Sequence, residues 1–271
     1  MMRAGNAKGV IMRFLLPLLI FLQAAGASSD RALQETLNSK YSRQVLTTRE
    51  FLIGPRILFD ADGKLVSGGT PGIFTLDGSL RVEGVRVTAD RVEIRGQQVF
   101  LSYNPKAQKL EEYPTNDSMR LEFARKSGVS VEPGIDSVLL PLDKLAMFVP
   151  PYWVRFLQGK VELLPVKDAT TGVLVPRASE SLGLVPRAKR PITPKYPPIL
   201  TPYGIVREVL LHVIVDENGK PEVADIIEPA GFGLDQMAIV AVEEGEYEPA
   251  RQDGKGVKVY FRVRVRFNPP R

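Results

Sequence analysis

The chain contains one histidine, His212, which is the first residue to consider as a general base. His212 lies inside a predicted strand and is flanked by apolar residues, which is typical of a buried histidine. A Ser-His-Asp site would require this residue, and the sequence has no Gly-x-Ser-x-Gly motif to supply a nucleophile. Phosphate-binding and dinucleotide-binding glycine motifs are also absent from the sequence. The sequence therefore predicts no catalytic residue and no enzyme activity.

Two groups of acidic residues could be considered for a cation. Asp216 and Asn218 have the spacing of a calcium loop, but the glycine is misplaced and position twelve is Ile227 instead of an acid. Four glutamates between Glu243 and Glu248 form the second group, and the solvated end of a helix explains them. The chain has no cysteine, which excludes thiolate sites and disulfides. We therefore predict no metal and no cofactor.

The charge balance excludes one class of partner. Lysine and arginine number 36 and aspartate and glutamate 31, which gives a formal net charge of +5. Three of the basic residues lie in the first 27 positions, and without them 33 basic residues face 31 acidic ones. A balance so close to neutral predicts no nucleic-acid partner. No motif identifies a small-molecule substrate.

The last strand is where the sequence does predict binding chemistry. Apolar and polar residues alternate strictly from Val257 to Phe267, so one face is predicted to be buried and the other basic and solvated. The residues of the basic face are Lys258, Tyr260, Arg262, Arg264 and Arg266. If this strand lies at a sheet edge, its unpaired N–H and C=O groups can accept an added strand. Cationic residues also protect an edge from self-association, and both interpretations stay open here.

The elements before this strand predict how it is positioned. Residues 209–215 alternate as a strand, the turn at Asn218-Gly219 permits a tight hairpin, and Pro221–Ile227 returns as a second strand. A helix follows Gly233, with apolar residues at i, i+3, i+4, i+7 and i+8 from Leu234. Asp235 in its first turn suits the positive helix end. The sequence predicts an α+β fold in which this C-terminal module has two layers, an antiparallel sheet and a helix.

In order and spacing, residues 194–271 resemble the TonB C-terminal domain family. The resemblance rests on Pro194-Lys195-Tyr196-Pro197, Val213-x-Val215-Asp216-Glu217-Asn218-Gly219-Lys220, Leu234-Asp235-Gln236-Met237-Ala238, Tyr247-Glu248-Pro249-Ala250 and Gly254-Lys255-Gly256-Val257. The residues at motif positions are Pro194, Tyr196, Pro197, Gly204, Gly219, Leu234, Asp235, Ala238, Tyr247, Pro249, Ala250 and Gly254. Gly245 stands where the family commonly has a tryptophan, so one packing anchor is missing. Pro198 and Pro202 predict that the first helix of the module is shortened to a single turn.

The resemblance implies a function and partners. In the family, this module is periplasmic in Gram-negative bacteria and binds short peptides of outer-membrane proteins along its last strand. The implied partner is an outer-membrane TonB-dependent receptor or a similar protein. Transduction of energy would also require a membrane anchor coupled to inner-membrane motor proteins.

The N-terminus predicts export. Residues 1–27 contain Arg13, an apolar run from Phe14 to Leu22, and Ala25-Gly26-Ala27, which is the pattern of a signal peptide. The apolar stretch is shorter than the ~20 residues that cross a bilayer. We therefore predict a cleaved leader and a periplasmic location, with a short membrane anchor as the alternative.

Two regions separate the leader from the C-terminal module. Residues 30–164 are predicted to be a separate β-rich domain of unknown role, an antiparallel sheet or small barrel with a hairpin around Asp62-Gly63 and a bulge at Gly84. Residues 165–193 are predicted to be an extended, exposed linker that is rich in proline and basic residues. This linker carries Leu-Val-Pro-Arg-Ala twice, at 174–178 and at 184–188.

Three hypotheses follow. The first is a periplasmic TonB-like protein that binds receptor peptides by strand addition and supports energy-dependent transmembrane transport. The second is an exported soluble scaffold or adaptor that has the module but no energy-transducing role. The third, an unrecognised hydrolase in residues 30–164, has no motif in its favour. A mature chain that begins at Ser28 would favour the second hypothesis over the first.

Overall fold

The structure is a computed structural model, and it describes residues 29–147, 149, 151–159, 162–163 and 165–270. It is an α+β fold, as predicted, and it begins with helix α1 over 29–41. None of the helices in these residues is both long and apolar enough to span a membrane. The predicted signal peptide or anchor lies outside the described residues.

A seven-stranded sheet forms the β-rich region. Its strands are β1 (Val45–Thr48), β2 (Arg56–Phe59), β3 (Leu65–Ser67), β4 (Ser79–Val87), β5 (Arg91–Asn104), β6 (Lys109–Ala124) and β7 (Leu139–Pro141). Their order is β3-β2-β6-β5-β4-β1-β7, and every pair is antiparallel except β2 with β6. Two of these strands are long, since β5 runs for 14 residues and β6 for 16.

Local turn chemistry in this sheet follows the sequence prediction. The hairpin between β2 and β3 turns at Asp62-Gly63, where Asp60 Oδ1 accepts hydrogen bonds from the N–H groups of Asp62 and Lys64, both at 2.9 Å. Gly63 adopts φ +84°, which explains the glycine. The register of β4 against β5 shifts between Val82 and Gly84, so the predicted bulge is confirmed.

Two helices complete the β-rich region, α2 (Glu132–Val138) and α3 (Pro151–Leu157). Trp153 on α3 is 2 % exposed, and its ring meets those of Phe74 and Tyr103 edge-on, with centroids 5.4 and 6.0 Å away. Trp153 is therefore a core residue of this region.

The C-terminal module is a three-stranded antiparallel sheet of order β10-β9-β14 with one helix. Its elements are β9 (Arg207–Val215), β10 (Pro221–Glu228), α4 (Leu234–Glu243), β11 (Tyr247–Glu248), β12 (Ala250–Gln252), β13 (Lys255–Val257) and β14 (Val259–Phe267), and β8 (Arg187–Ala188) precedes them. A single 3₁₀ segment, Pro198–Tyr203, replaces the first helix, as its prolines predict. The last strand is interrupted at Lys258, which separates β13 from β14.

The hairpin and the helix of the module match the sequence prediction. Asp216 Oδ1 accepts from the N–H groups of Asn218 and Lys220 at 2.9 and 2.8 Å, and Gly219 adopts φ +86°. The acidic group at this turn therefore stabilises the hairpin backbone. On α4, Leu234, Ala238 and Val242 are buried in the core.

The β-rich region and the module are in direct contact. One apolar cluster contains residues of both, among them Phe100, Trp153, Phe232 and Leu234. The loop before α4 also pairs with β5, since Phe232 N–H donates to Leu101 O at 2.7 Å and Tyr103 N–H donates to Ala230 O at 3.0 Å. The sequence predicts a separate domain, whereas the structure shows a core shared by the two regions.

Residues 165–193 differ from the predicted exposed linker. Val166, Val175 and Leu184 are buried, and β8 pairs with β11 in the module. The physical reason is that apolar residues between the prolines find partners on the faces of the C-terminal sheet, including Ile214 and Val259. The domain boundaries at 164 and 193 stay a prediction.

Candidate functional site

β14 is one edge strand of the C-terminal sheet. It pairs with β9 from Val259 to Phe267 without a register shift. In a regular antiparallel pair, alternate residues direct their N–H and C=O groups toward the partner strand, and the residues between direct them away. Both backbone groups of Tyr260 bond to residues outside the sheet. The row that faces away from β9 therefore consists of Tyr260, Arg262, Arg264 and Arg266, and we call it the outer edge of β14.

Most of this outer edge carries no partner in the described part of the chain. No backbone or side-chain hydrogen bond joins the N–H or C=O groups of Arg262, Arg264 or Arg266 to another described residue. Their side chains are exposed, and Arg264 Nη1 lies 2.9 Å from Glu208 Oε2 on the neighbouring strand. Three successive outward residues thus offer backbone donors and acceptors to another chain.

The first part of the predicted binding strand is occupied. Tyr260 N–H donates to Pro176 O at 2.9 Å, and Tyr260 O accepts from Ala178 N–H at 2.7 Å. Lys258 lies at the break between β13 and β14, and its Nζ is 2.5 Å from Asp168 Oδ2. Of the five residues predicted for partner binding, the structure brings Arg262, Arg264 and Arg266 to the free edge, whereas Lys258 and Tyr260 have intramolecular partners.

The opposite edge of the sheet, on β10, is covered by side chains. Glu243 at the end of α4 accepts a hydrogen bond from Val223 N–H at 3.2 Å. At Ile226, the N–H donates to Asp225 Oδ1 at 2.8 Å and the carbonyl oxygen accepts from Arg155. Arg155 Nη1 also lies 2.5 Å from Asp225 Oδ2. Capping of this kind blocks strand addition, so the two edges of one sheet differ in availability.

The apolar face of β14 holds the strand in place. Val263, Val265 and Phe267 are buried in the core cluster that also contains Ala238 and Val242 of α4. Because these residues pack in the core, they fix β14 from one face.

The motif residues of the module stabilise turns and buried contacts around this sheet. Tyr196 donates its hydroxyl hydrogen to Ile205 O at 2.9 Å. Gly204 and Gly254 adopt φ +60° and +78°. The apolar motif residues Leu234, Ala238, Tyr247 and Ala250 are buried, Pro249 is half-buried, and Pro194 and Pro197 belong to the segment that enters the module.

Asp235 has the most unusual environment of the motif residues. It is 2 % exposed, and its two carboxyl oxygens accept from the N–H groups of Ala230 and Gly231, both at 2.8 Å. Burial raises the pKa of Asp235 to about 7, although both backbone hydrogen bonds act in the opposite direction. This side chain fixes the loop that joins the module to β5.

His212 is placed as the sequence predicts, inside a strand and buried. Its ring meets that of Tyr260 edge-on at 5.2 Å, and burial lowers its pKa. No group of three or more His, Cys, Asp or Glu residues is arranged to hold a metal within the residues that the structure describes.

A surface groove of about 910 Å³ lies beside β10. Its lining includes Tyr152 and Val154 of α3, Val166, and Ala224 of β10, with the ion pair of Arg155 and Asp225 among the charged groups. The groove is mainly apolar and brings no nucleophile and base together.

Sequence reasoning missed three contributors to the site. The sequence predicts that Glu243 is part of a solvated helix end and that residues 176–178 lie in an exposed linker, and no pattern in it indicates a role for Arg155. Each of them contacts a strand that is distant in the sequence, and a local pattern of residues does not predict such a contact. For residues 176–178, the duplication of Leu-Val-Pro-Arg-Ala is the feature of the sequence that indicates a specific role.

A comparison with protein families identifies the C-terminal module. Residues 192–269 match the family model described as the Gram-negative bacterial TonB protein C-terminal. No curated protein matches the chain at a significant level. The match covers the entry segment, the three-stranded sheet and α4, and it bears out the resemblance drawn from residues 194–271.

Proposed function

We propose that the protein is a periplasmic TonB-like protein that binds extended peptides of outer-membrane receptors. The match of residues 192–269 to the TonB C-terminal family model supports this proposal. Binding takes place by strand addition on the outer edge of β14. The guest backbone pairs with Arg262, Arg264 and Arg266, and each hydrogen bond contributes about 0.5–1.5 kcal/mol.

One observation carries this proposal, which is the difference between the two sheet edges. Side chains of Glu243, Arg155 and Asp225 bond to the backbone of β10. The outward groups of Arg262 to Arg266 have no such bonds to other described residues. A sheet that caps one edge and leaves the other uncapped is suited to accept a strand at a single defined position.

The wider role that we propose is support of energy-dependent transport across the outer membrane. That role requires the alternative to a cleaved leader, in which the N-terminal segment stays attached as an anchor and couples the protein to inner-membrane motor proteins. The β-rich region, in contact with the module through the core cluster, then moves together with it.

A second candidate function is an exported adaptor without energy transduction. The observation in its favour is that residues 165–193 pack on the module instead of forming a free spacer, since Val166, Val175 and Leu184 are buried there. N-terminal sequencing of the protein from native membrane and periplasmic fractions separates the two candidates. A mature chain that begins at Ser28 in the periplasmic fraction favours the adaptor, and an uncleaved chain in the membrane fraction favours the transducer.

Arg264→Pro tests the docking edge. We expect affinity to fall at least about tenfold, because proline removes one outward N–H and its ring excludes the guest backbone. The Arg264 N–H does not bond to β9, so the fold is expected to tolerate the change. The probe is an array of overlapping decapeptides from the outer-membrane receptors of the same bacterium, followed by titration of the best binder.

Arg264→Ala is the matched control, because it removes the guanidinium and its Glu208 contact but keeps the backbone N–H. We expect it to retain most of the affinity. Equal affinity of wild type and a folded Arg264→Pro variant would show that peptides do not bind along the outer edge of β14.

A further inference from the structure

The duplicated Leu-Val-Pro-Arg-Ala motif makes strand contacts with the C-terminal module in both copies. In the first copy, Leu174–Ala178, Arg177 forms a parallel bridge with Tyr260. In the second copy, Leu184–Ala188, the last two residues form β8 and pair antiparallel with β11. The same five residues therefore act twice as a pairing segment, at two different places.

The second copy is held on the module by backbone pairing and by the buried side chain of Leu184, while Arg187 and Ala188 are exposed. Lys189 N–H, next to β8, donates to Glu246 O at 2.8 Å. Leu184 is buried in a cluster with Ala250 and Val259. The backbone of this copy pairs with β11, whereas the backbone of the first copy pairs with β14.

The first copy lies on the outer edge of β14 itself. Pro176 O and Ala178 N–H bond to the two backbone groups of Tyr260 at 2.9 and 2.7 Å. These are the same kind of groups that Arg262, Arg264 and Arg266 present farther along the row. The first copy thus makes, within the chain, the type of contact that a guest strand would make.

The chain leaves the edge directly after this contact. Ser179 turns back to pair with Leu184, with N–H to O distances of 3.1 and 2.9 Å in the two directions. Only one residue of β14, Tyr260, is therefore paired to the segment, and the row beyond it is not covered. A guest strand that continues the row toward the start of β14 meets Ala178 in its path.

We propose that the first copy of the repeat is a built-in occupant of the docking edge, which a guest peptide displaces from Tyr260. This inference rests on the proposed function, because it assigns regulation to the same edge. Displacement gives the guest a fourth outward residue to pair with. The apparent affinity of a guest peptide for the full edge is reduced in proportion to the fraction of molecules in which Tyr260 is free of the segment. The segment therefore favours guest peptides that are long enough to pair with Tyr260 as well as with the three arginines.

The contacts of the segment are few enough for exchange. Besides the two backbone bonds to Tyr260, it is held by Val175, which packs with Val166 and Ile214 and donates its N–H to Val166 O at 3.0 Å. Ala178 packs against the cluster of Leu184, Ala250 and Val259, and the Asp168–Lys258 ion pair holds the turn before the segment. Val173 and Leu174, just before the contact, are 64 % and 61 % exposed. Loss of the two neutral hydrogen bonds to Tyr260 is expected to change the apparent affinity of an added peptide for this edge by about tenfold.

The experiment supplies the segment in trans. A labelled peptide of residues 171–180 is titrated into wild type, Ala178→Pro and Ala178→Ser. Proline removes the N–H that bonds to Tyr260 O, whereas serine keeps it. We expect the peptide to bind Ala178→Pro at least about tenfold more tightly than wild type or Ala178→Ser. A peptide with proline at position 178 is expected not to bind any of them.

Asp168→Asn provides a second variant that keeps the turn but weakens the contact with Lys258, and we expect a smaller gain in the same direction. Equal affinity of the peptide for all four folded proteins, or no binding to Ala178→Pro and Asp168→Asn, overturns the inference.

In a parallel titration, a receptor decapeptide that binds wild type and Ala178→Pro equally overturns the inference but leaves the proposed function standing. Receptor peptides that bind none of the proteins overturn the proposed function, and the inference with it.

Discussion

Phe232→Ala is expected to reduce the free energy of unfolding by about 3–5 kcal/mol, the range for truncation of a fully buried phenylalanine. Phe232 has no exposed surface, and its ring meets those of Phe100 and Tyr113 edge-on, with centroids 6.5 and 5.5 Å away. The residue is in the module, but two of its aromatic neighbours are in the β-rich region. Truncation therefore leaves a cavity where the two regions meet.

Chemical denaturation followed by fluorescence and circular dichroism measures this loss. Val240→Ala on α4 is the control, because Val240 is exposed and a surface truncation costs little. If the two regions fold as one unit, the Phe232→Ala variant unfolds in one transition at lower denaturant. A loss below about 1 kcal/mol, or an unchanged transition for the β-rich region, would contradict a shared core.

Asp235→Ala is expected to reduce the free energy of unfolding by about 2–6 kcal/mol. Its two carboxyl oxygens are the partners of the Ala230 and Gly231 N–H groups, and alanine would leave both donors buried without a partner. Each unsatisfied group of this kind costs about 1–3 kcal/mol. The loop that Asp235 holds pairs with β5 and is not part of the outer edge of β14. Peptide binding at β14 is therefore expected to be lost only when the module unfolds. Asp235→Asn keeps one acceptor and is expected to lie between wild type and Asp235→Ala.

The pH dependence of stability gives a separate test of the buried carboxyl group. In the folded protein the pKa of Asp235 is about 7, and in the unfolded chain it is about 3.9. Between these values the folded protein holds a proton that the unfolded chain releases, so this group increases stability as pH falls from 8 to 5. Asp235→Asn lacks this contribution. The difference in unfolding free energy between wild type and Asp235→Asn is therefore expected to increase toward pH 5, and a constant difference would contradict a protonated, buried carboxyl group.

Local patterns predicted the module well because its signals are short in range. The alternation in residues 209–215, the Asn218-Gly219 turn and the apolar stripe of α4 each depend on neighbours within a few positions. The same holds for the bulge at Gly84. The fold class of the C-terminal module could therefore be predicted from the sequence without knowledge of what it contacts.

The β-rich region was predicted less fully for a physical reason. Strand β6 contains Pro114 and long polar stretches, so its alternation is broken although it pairs with β5 along most of its length. The parallel contact of β2 with β6 joins segments more than sixty residues apart. Such pairings are decided by burial in the assembled sheet, which no short window reports.

In the candidate site, too, the features set by neighbouring residues could be predicted and those set by distant residues could not. The alternation from Val257 to Phe267 placed Arg262, Arg264 and Arg266 on one face, and the structure shows that their backbone groups face away from β9. The break at Lys258, the contact of Tyr260 with residues 176–178 and the capping of β10 by Glu243 all depend on distant residues. These long-range contacts limit the free edge to three residues.

Residue-resolved amide hydrogen exchange of β14, in the free protein and with the best-binding receptor decapeptide, tests the central claim most directly. In the free protein we predict fast exchange at Arg262, Arg264 and Arg266, and slow exchange at Val263 and Val265, which pair with β9. At saturating peptide, the three arginine amides are predicted to become slow. Slow exchange at those arginines in the free protein, or fast exchange that persists with peptide bound, would contradict strand addition at this edge.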